Sequence, residues 1–431
     1  MHIIYRKTCR VCGSSALTPV IDLGEQYLQG SFIKPGKEMP VLRKIPTSLV
    51  RCDPTLDEKA CGLLQMSCTL PPEILYSAYW YRSGTNQTMR DHLQGIVNDA
   101  VRLMPSGSHR ILDIGCNDGT LLRSCPADWV KFGIDPSDVA QEIPDDIRVV
   151  QGLFPSPELL RLTAGKPFDV IASIAMFYDL ESPVEFARSI KRHLSPNGVW
   201  IFEMSYMPRM LELGSYDTIC HEHLEYYSLA VIEHILLHAD LRLFDVALND
   251  INGGSIRCFA THRDNFEFKS DAGLAHIRAL RNKEFELELD LNRPYHEFQQ
   301  RIQSNRQQLR SLLLKLKAEG KSIHVYGAST KGNTILQFCG LDHTILDCAA
   351  DRNRDKHGAR TLGTNIPIIS EEESRARKPD YYLVLPWHFK HEFLQREKMT
   401  IQNGTHMIFP IPEIEIVSHA GTSTAFSARM G

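Results

Sequence analysis

The chain has 431 residues, a formal net charge of −4, 43% hydrophobic residues and 23% charged residues. This is ordinary for a globular protein of two or three domains, and it supplies no general attraction to nucleic acid or to an anionic membrane. No apolar run approaches the roughly 18 residues that span a bilayer. The opening MHIIYRKTCRVCG has neither an apolar signal core nor a small-residue cleavage site, so a cytoplasmic location is expected, with no nucleic-acid or membrane partner.

The first segment, 1–78, carries CRVCG and then RCDPTLDEKACGLLQMSC, with short strand-like runs between and no long amphipathic helix. Cys9 and Cys12 form one ligand pair, and Cys52 and Cys61 a second. Four thiolates suit a structural, tetrahedral Zn²⁺ that ties together a segment without a helical core. The second pair is wider than the usual knuckle. DPTLDEKA reads as a loop inserted into it, and Cys68 is a rival ligand. The other reading is a set of buried free cysteines, which a reducing compartment allows.

The second segment, 79–265, opens with helical spacing over 87–104: Met89, Leu93, Ile96, Val97, Ala100 and Met104. Buried-strand runs follow at RILDIG (110–115), KFGID (131–135), RVVQG (148–152), FDVIASI (168–174) and GVWIFEMS (198–205). Strands alternating with helices predict a parallel α/β sheet. LRLFDVALND and GSIRCFATH read as an antiparallel pair. A helical connector, 266–319, places Phe298, Ile302, Leu309, Leu313 and Leu316 on one face and stops at Gly320. The third segment, 320–431, starts again with strand, Gly-rich turn and helix (SIHVYGASTKGNTILQFCGL), which predicts a second, smaller Rossmann-like domain. Its tail, SHAGTSTAFSARMG, is expected to be loosely packed.

The chemistry begins at ILDIGCNDGTLL, 111–122. A strand ends in Asp113, and Gly115, Asn117 and Gly119 lead into a helix N-terminus that can approach a ligand closely. A second strand ends in Asp135, where an acid can take ribose hydroxyls. The loop is not G-x-G-x-x-G, and an acid at its strand end would repel a pyrophosphate. A ligand with a cationic centre and no phosphate fits better. The loop resembles the first motif of class I S-adenosylmethionine-dependent methyltransferases. That resemblance implies S-adenosylmethionine as cofactor, puts Gly152 in the adenine-contacting turn, and leads FDVIASIAMFYDL into the active site.

DTICHEHLEYYS, 217–228, follows the fifth strand, where substrate loops emerge. His221, Glu222 and His223 allow three readings. A metal site needs an extended backbone and a third ligand. An acid/base site needs one histidine in the cleft and a carboxylate to orient it. A solvated polar loop needs neither.

The four-cysteine segment, YRSGTNQTMRDH, LDIGCNDG, HEH, NDINGGSIR and VYGASTKGNT, in this order, resemble the sugar 3-C-methyltransferase family over nearly the whole chain. The resemblance implies C-methylation at C3 of a nucleotide-linked 4-keto-6-deoxyhexose, carried on dTDP or GDP. His223 would be the base, Glu222 its polar partner and His221 a weaker candidate. Cys220 stands where the family has Tyr, and Asp179 where it often has His. Tyr178, Tyr226 and Tyr227 are then candidate donors to the enolate oxygen. Tyr81, Ser83 and Asn86 would form a lid, or equally a helix-capping turn. Asn252 and Arg257 would line the substrate cleft on a hairpin. Gly327, Ser329 and Lys331 would meet a phosphate at a helix N-terminus. Trp387 and His388 offer a base-stacking aromatic or simple core. The rival functions are an O- or N-methyltransferase on another small molecule and a non-enzymatic binding module. The oligomeric state stays open, with a monomer as the default.

Overall fold

A computed structural model describes residues 3–76 and 80–424. Runs that are apolar at nearly every position become strands buried on both faces. Arg110–Ile114, Val130–Asp135, Arg148–Gln151, Phe168–Ile174 and Leu194–Ser205 pair in parallel. Numbered by sequence within this seven-stranded sheet, the strand order is 3-2-1-4-5-7-6. The expected antiparallel pair, Leu241–Asn249 and Ser255–His262, completes it, with Ser255–His262 antiparallel to both neighbours. The chain leaves Arg110–Ile114 to opposite sides, so a crevice opens at the carboxyl ends of this strand and Phe168–Ile174.

The C-terminal sheet repeats that logic. Ile368–Ser370, Cys348–Asp351, Ile323–Tyr326, Tyr381–Val384 and His406–Phe409 are parallel neighbours in that order. Its switch point lies at Ile323–Tyr326. The expectation of a loose tail fails for its first residues. Glu415–Ser418 and Gly421–Thr424 form an antiparallel hairpin that extends this sheet as an exposed edge. Residues 425–431 lie outside the described residues.

Near the N-terminus, Leu17–Gln26, Ile45–Cys52 and Leu64–Met66 make an antiparallel sheet whose fourth strand is Glu225–Tyr226. The segment just after H-E-H is therefore stitched into the cysteine-bearing part of the chain. Two helices, Asp271–Glu286 and Arg293–Ala318, stand where the amphipathic pattern shows most clearly as one. The break has Glu288 at φ 52° and Pro294 in the first turn of the second helix. Phe298, Ile302, Leu309, Leu313 and Leu316 share a core with Leu49 of the N-terminal sheet and Val325 of the C-terminal sheet. The long helix is thus a packed core element as well as a link. Among the described residues no helix is long and apolar enough to cross a membrane.

Candidate active site

The switch-point crevices of the two large sheets open into one cavity of about 580 Å³. Asp113, Gly115, Asn117, Asp135 and Gly152 line it. The loop turns through positive φ at Gly115 (76°) and Gly119 (74°). A Cβ at Gly115 would meet Met176 at 3.2 Å, so glycine also meets a packing demand there. The Asn117 amide donates to Asp135 Oδ2 at 2.8 Å, and the Ser137 amide to Oδ1 at 2.9 Å. Burial, then the carboxylates of Asp135 and Asp118, push Asp113 up to about 8. This end of the cavity is acidic and holds two strand-end carboxyls, which suit the hydroxyls and the positive charge of a sulfonium nucleoside. Gly119 does not line the cavity. It caps the helix Thr120–Arg123 and packs on Ile143, so its part is to set the loop's path.

Residues 81–86 lie against this loop. Asn117 Nδ2 donates to the Tyr81 carbonyl at 3.1 Å, and the Ser83 amide donates to Asn117 Oδ1 at 3.0 Å. Asn86 caps the helix Gln87–Leu103 by accepting from the Thr88 amide at 2.8 Å, and it also faces the cavity with Tyr81. Capping and lining hold together.

The H-E-H triplet is divided by its backbone. His223 and Glu222 line the cavity; His221 does not. His221 is 3% exposed, its Nε2 lies 3.2 Å from Thr47 Oγ1, and its amide donates to Gln29. It ties the loop to the strand Ile45–Cys52, which corrects its candidacy as a base. His223 Nδ1 lies 2.7 Å from the Thr218 carbonyl, which can only accept, so this nitrogen carries the hydrogen. Nε2 is then the basic atom. Burial, then Lys331, lower His223 to about 3, so the ring is neutral at ordinary pH. Burial raises Glu222 to about 7, opposed by its hydrogen bond with Thr330. Tyr178 packs its ring on His223 with centroids 4.3 Å apart and lines the cavity. Tyr226 and Tyr227 donate their hydroxyls to the carbonyls of Thr218 and Phe177, each at 3.3 Å, and stand outside the cavity.

Asn252 and Lys331 face the same space, and Lys331 Nζ donates to the Asn252 carbonyl at 2.8 Å. Arg257 does not face it. Arg257 Nε donates to Glu203 at 2.8 Å, and its guanidinium also pairs with Asp99, so strand register turns it toward a carboxylate network. His92 completes that network on Glu203, and both line the cavity. Trp387 is 8% exposed and donates to Asp217 at 3.0 Å, which makes it core; its neighbour His388 lines the cavity. Asp351 also lines it, and the Ala328 amide donates to Asp351 Oδ2 at 2.8 Å. That residue was readable in LDCAAD by the strand-end rule that singled out Asp135. His92 closes the YRSGTNQTMRDH motif, but its place on an amphipathic helix did not mark it as a cavity residue.

Away from the cavity, the thiols of Cys9, Cys12, Cys52 and Cys61 all lie within 4.8 Å of one another. Cys9 and Cys61 are 3.5 Å apart, as are Cys12 and Cys52. Four thiolates at Zn–S bonds of about 2.3 Å have separations near these, and four protein ligands leave no open position. The set fits a structural Zn²⁺. Cys68 stands apart and donates to the Pro46 carbonyl, so it is not a fifth contender.

The sheet order, the glycine loop with its strand-end acid, and Asp135 define a class I S-adenosylmethionine-dependent methyltransferase. Three family models match in sequence: "Putative zinc binding domain" over residues 9–76, "Methyltransferase domain" over 86–246 and "C-methyltransferase C-terminal domain" over 250–412. The chain is 28% identical to the C-methyltransferase NovU of Streptomyces niveus over 423 residues, 96% of this chain and 97% of that protein. It is 27% identical over 143 residues to a malonyl-acyl-carrier-protein O-methyltransferase of Halalkalibacterium halodurans, 29% of this chain and 51% of that protein. An S-adenosylmethionine-dependent methyltransferase of Clostridium acetobutylicum aligns in structure at 13% identity and TM-score 0.32, over 42% of this chain and 93% of that one. The chain is an S-adenosylmethionine-dependent methyltransferase, similar over nearly its whole length to a C-methyltransferase and matched at its N-terminus by a zinc-binding family model.

Proposed function

We propose that the protein methylates C3 of a nucleotide-linked 4-keto-6-deoxyhexose. The observation that carries this reading is the state of His223: its Nδ1 hydrogen is committed to the Thr218 carbonyl, and its Nε2 is a neutral base in the cavity that Asp113 and Asp135 also line. A ketone at C4 acidifies the C3 proton, and a neutral imidazole is free to accept it. His223 takes that proton, and Tyr178 packs the imidazole in place. Asp135 holds the ribose of the cofactor, with Asn117 and Gly152 beside it. S-adenosylmethionine supplies the electrophilic methyl group. The crevice at Gly327, Ser329, Lys331 and Asp351 receives the nucleotide end of the sugar. The cavity reaches both crevices, which suits a substrate that bridges the two sheets.

The test is mass spectrometry on purified protein incubated with S-adenosylmethionine and a panel of dTDP- and GDP-4-keto-6-deoxyhexoses, beside His223→Ala. One sugar is expected to gain a methyl group with the wild type and not with the variant. No gain on any sugar by a protein that binds the cofactor refutes the acceptor.

A further inference from the structure

Asp179 lies on the cavity wall, next in sequence to the Tyr178 that packs on His223. It ends the short turn Phe177–Asp179, and its amide donates to the Met176 carbonyl at 3.1 Å. The Tyr178 carbonyl accepts from the Leu224 amide at 2.8 Å. The turn and the H-E-H loop are thus tied backbone to backbone, one residue away from each side chain of interest. Asp179 Oδ1 is buried and has no hydrogen-bond partner among the described residues. Buried polar atoms are nearly always satisfied, so an orphaned carboxyl oxygen on a residue that lines a substrate cavity marks a carboxyl group not committed to the fold.

The charged groups that act on Asp179 are acidic. Burial, then the carboxylates of Glu222 and Glu225, keep its proton on well above the usual carboxylate range. Arg6 and Arg10 are engaged by Glu181, and Arg10 also faces Glu225 at 3.7 Å. Lys331 gives a hydrogen to the Asn252 carbonyl. Burial also favours the neutral forms of Tyr178, Cys220 and Tyr226, and His223 is neutral. At neutral pH the Asp179 side chain is therefore a carboxylic acid and a hydrogen-bond donor. Tyr178, which lines the cavity against His223, is the rival donor, and the remaining candidates are weaker. Tyr226 and Tyr227 spend their hydroxyls on backbone carbonyls, and the Cys220 thiol is a poor donor.

We propose that Asp179 donates the hydrogen bond to the substrate oxygen that gains negative charge when His223 removes the proton from the adjacent carbon. This rests on the enolisation reading above. In that step the C–H electron pair becomes the carbon–carbon π bond and the carbonyl π pair moves onto oxygen. The proton goes to Nε2 of His223, and nothing is oxidised or reduced. Asp179 keeps its O–H bond and points it at the new oxyanion.

The test is proton–deuterium exchange at the sugar carbon, followed by NMR in deuterated water. It uses the full chain and the same panel of dTDP- and GDP-4-keto-6-deoxyhexoses. Asp179→Ala is expected to slow exchange by about 10²–10³-fold. Asp179→Asn keeps an amide donor, so it should stay within about tenfold of wild type and lose the fall in rate at high pH that ionisation of the acid imposes. S-adenosylmethionine binding reports folding. If Asp179→Ala does not fold, the pH profile of Asp179→Asn decides alone, and an unchanged high-pH fall overturns the proposal. Exchange that needs His223 but survives Asp179→Ala at the wild-type rate overturns the Asp179 donor and leaves the base standing. No exchange with wild-type protein overturns the enolisation reading, and this inference with it.

Discussion

The main-chain amide of Asn117 donates to Asp135 Oδ2 at 2.8 Å, and the amide of Ala328 makes the same bond to Asp351 Oδ2 at the same distance. In both sheets the turn after the central strand is locked to an acid at the end of the neighbouring strand, and both acids face one cavity. Asp135→Asn is expected to weaken S-adenosylmethionine binding about 10- to 100-fold, the effect of a lost charged hydrogen bond. Asp351→Asn should leave that affinity unchanged and weaken the nucleotide-sugar instead. Calorimetry with each ligand separates the two.

Asp113 gives a pH dependence. In the native protein it keeps its proton up to about 8, while the unfolded chain releases it in the ordinary carboxylate range. Between those limits the native form binds more protons, so raising the pH through this window lowers the stability of the unliganded protein. A bound cation favours the ionised acid. S-adenosylmethionine should therefore bind more tightly as pH rises toward about 8, and Asp113→Asn should flatten the trend, read by calorimetric titration.

His223 titrates in the other sense. Its native value is lowered to about 3. Between there and the usual imidazole value of about 6.5 the native form binds fewer protons than the unfolded chain. Its contribution to stability is present above that window and is lost as pH falls through it to about 3. The activity profile should show no acid limb at the usual imidazole value. His223→Ala should cost about 10²–10⁴-fold in kcat. His221→Ala should instead cost about 1–3 kcal/mol of stability through the lost bond to Thr47, with activity retained by the folded fraction.

Zinc removal should reach the active site. The strand Glu225–Tyr226 pairs with Leu64–Met66, and the Met66 amide donates to the Leu224 carbonyl at 2.9 Å, next to His223. Cys12→Ser is expected to lose the ion, lower the Tm and reduce kcat. Cys68→Ser should keep the full zinc content. Metal analysis, thermal melts and activity on the same samples check all three.

Gly30 guards Glu222. A Cβ at Gly30 would lie 1.8 Å from Glu222 Oε1. Gly30→Ala must displace a carboxylate that is 8% exposed, so a loss of about 1–3 kcal/mol is expected. Activity should fall while S-adenosylmethionine affinity holds. Melting curves and calorimetry on one preparation test this.

Much of the molecule was legible in the chain. Continuous apolar runs mark strands of a sheet buried on both faces, so the parallel core, its glycine loop and Asp135 follow from local pattern. The four ligand cysteines follow from their pairing, even with the wide spacing of Cys52 and Cys61. What periodicity does not carry is side-chain direction in irregular backbone. His221 and His223 are two residues apart in one loop, yet His221 meets Thr47 and His223 meets the cavity. Arg257 lies on a strand whose register turns it to Glu203 rather than to the substrate space. Asp351 obeys a readable strand-end rule, but only the packing of the two sheets sets it in the same cavity as Asp135. Short-range sequence determined the elements and the chemistry available to them. The tertiary structure decided which of those groups share a desolvated space, because burial and hydrogen-bond partners come from residues far apart in the chain.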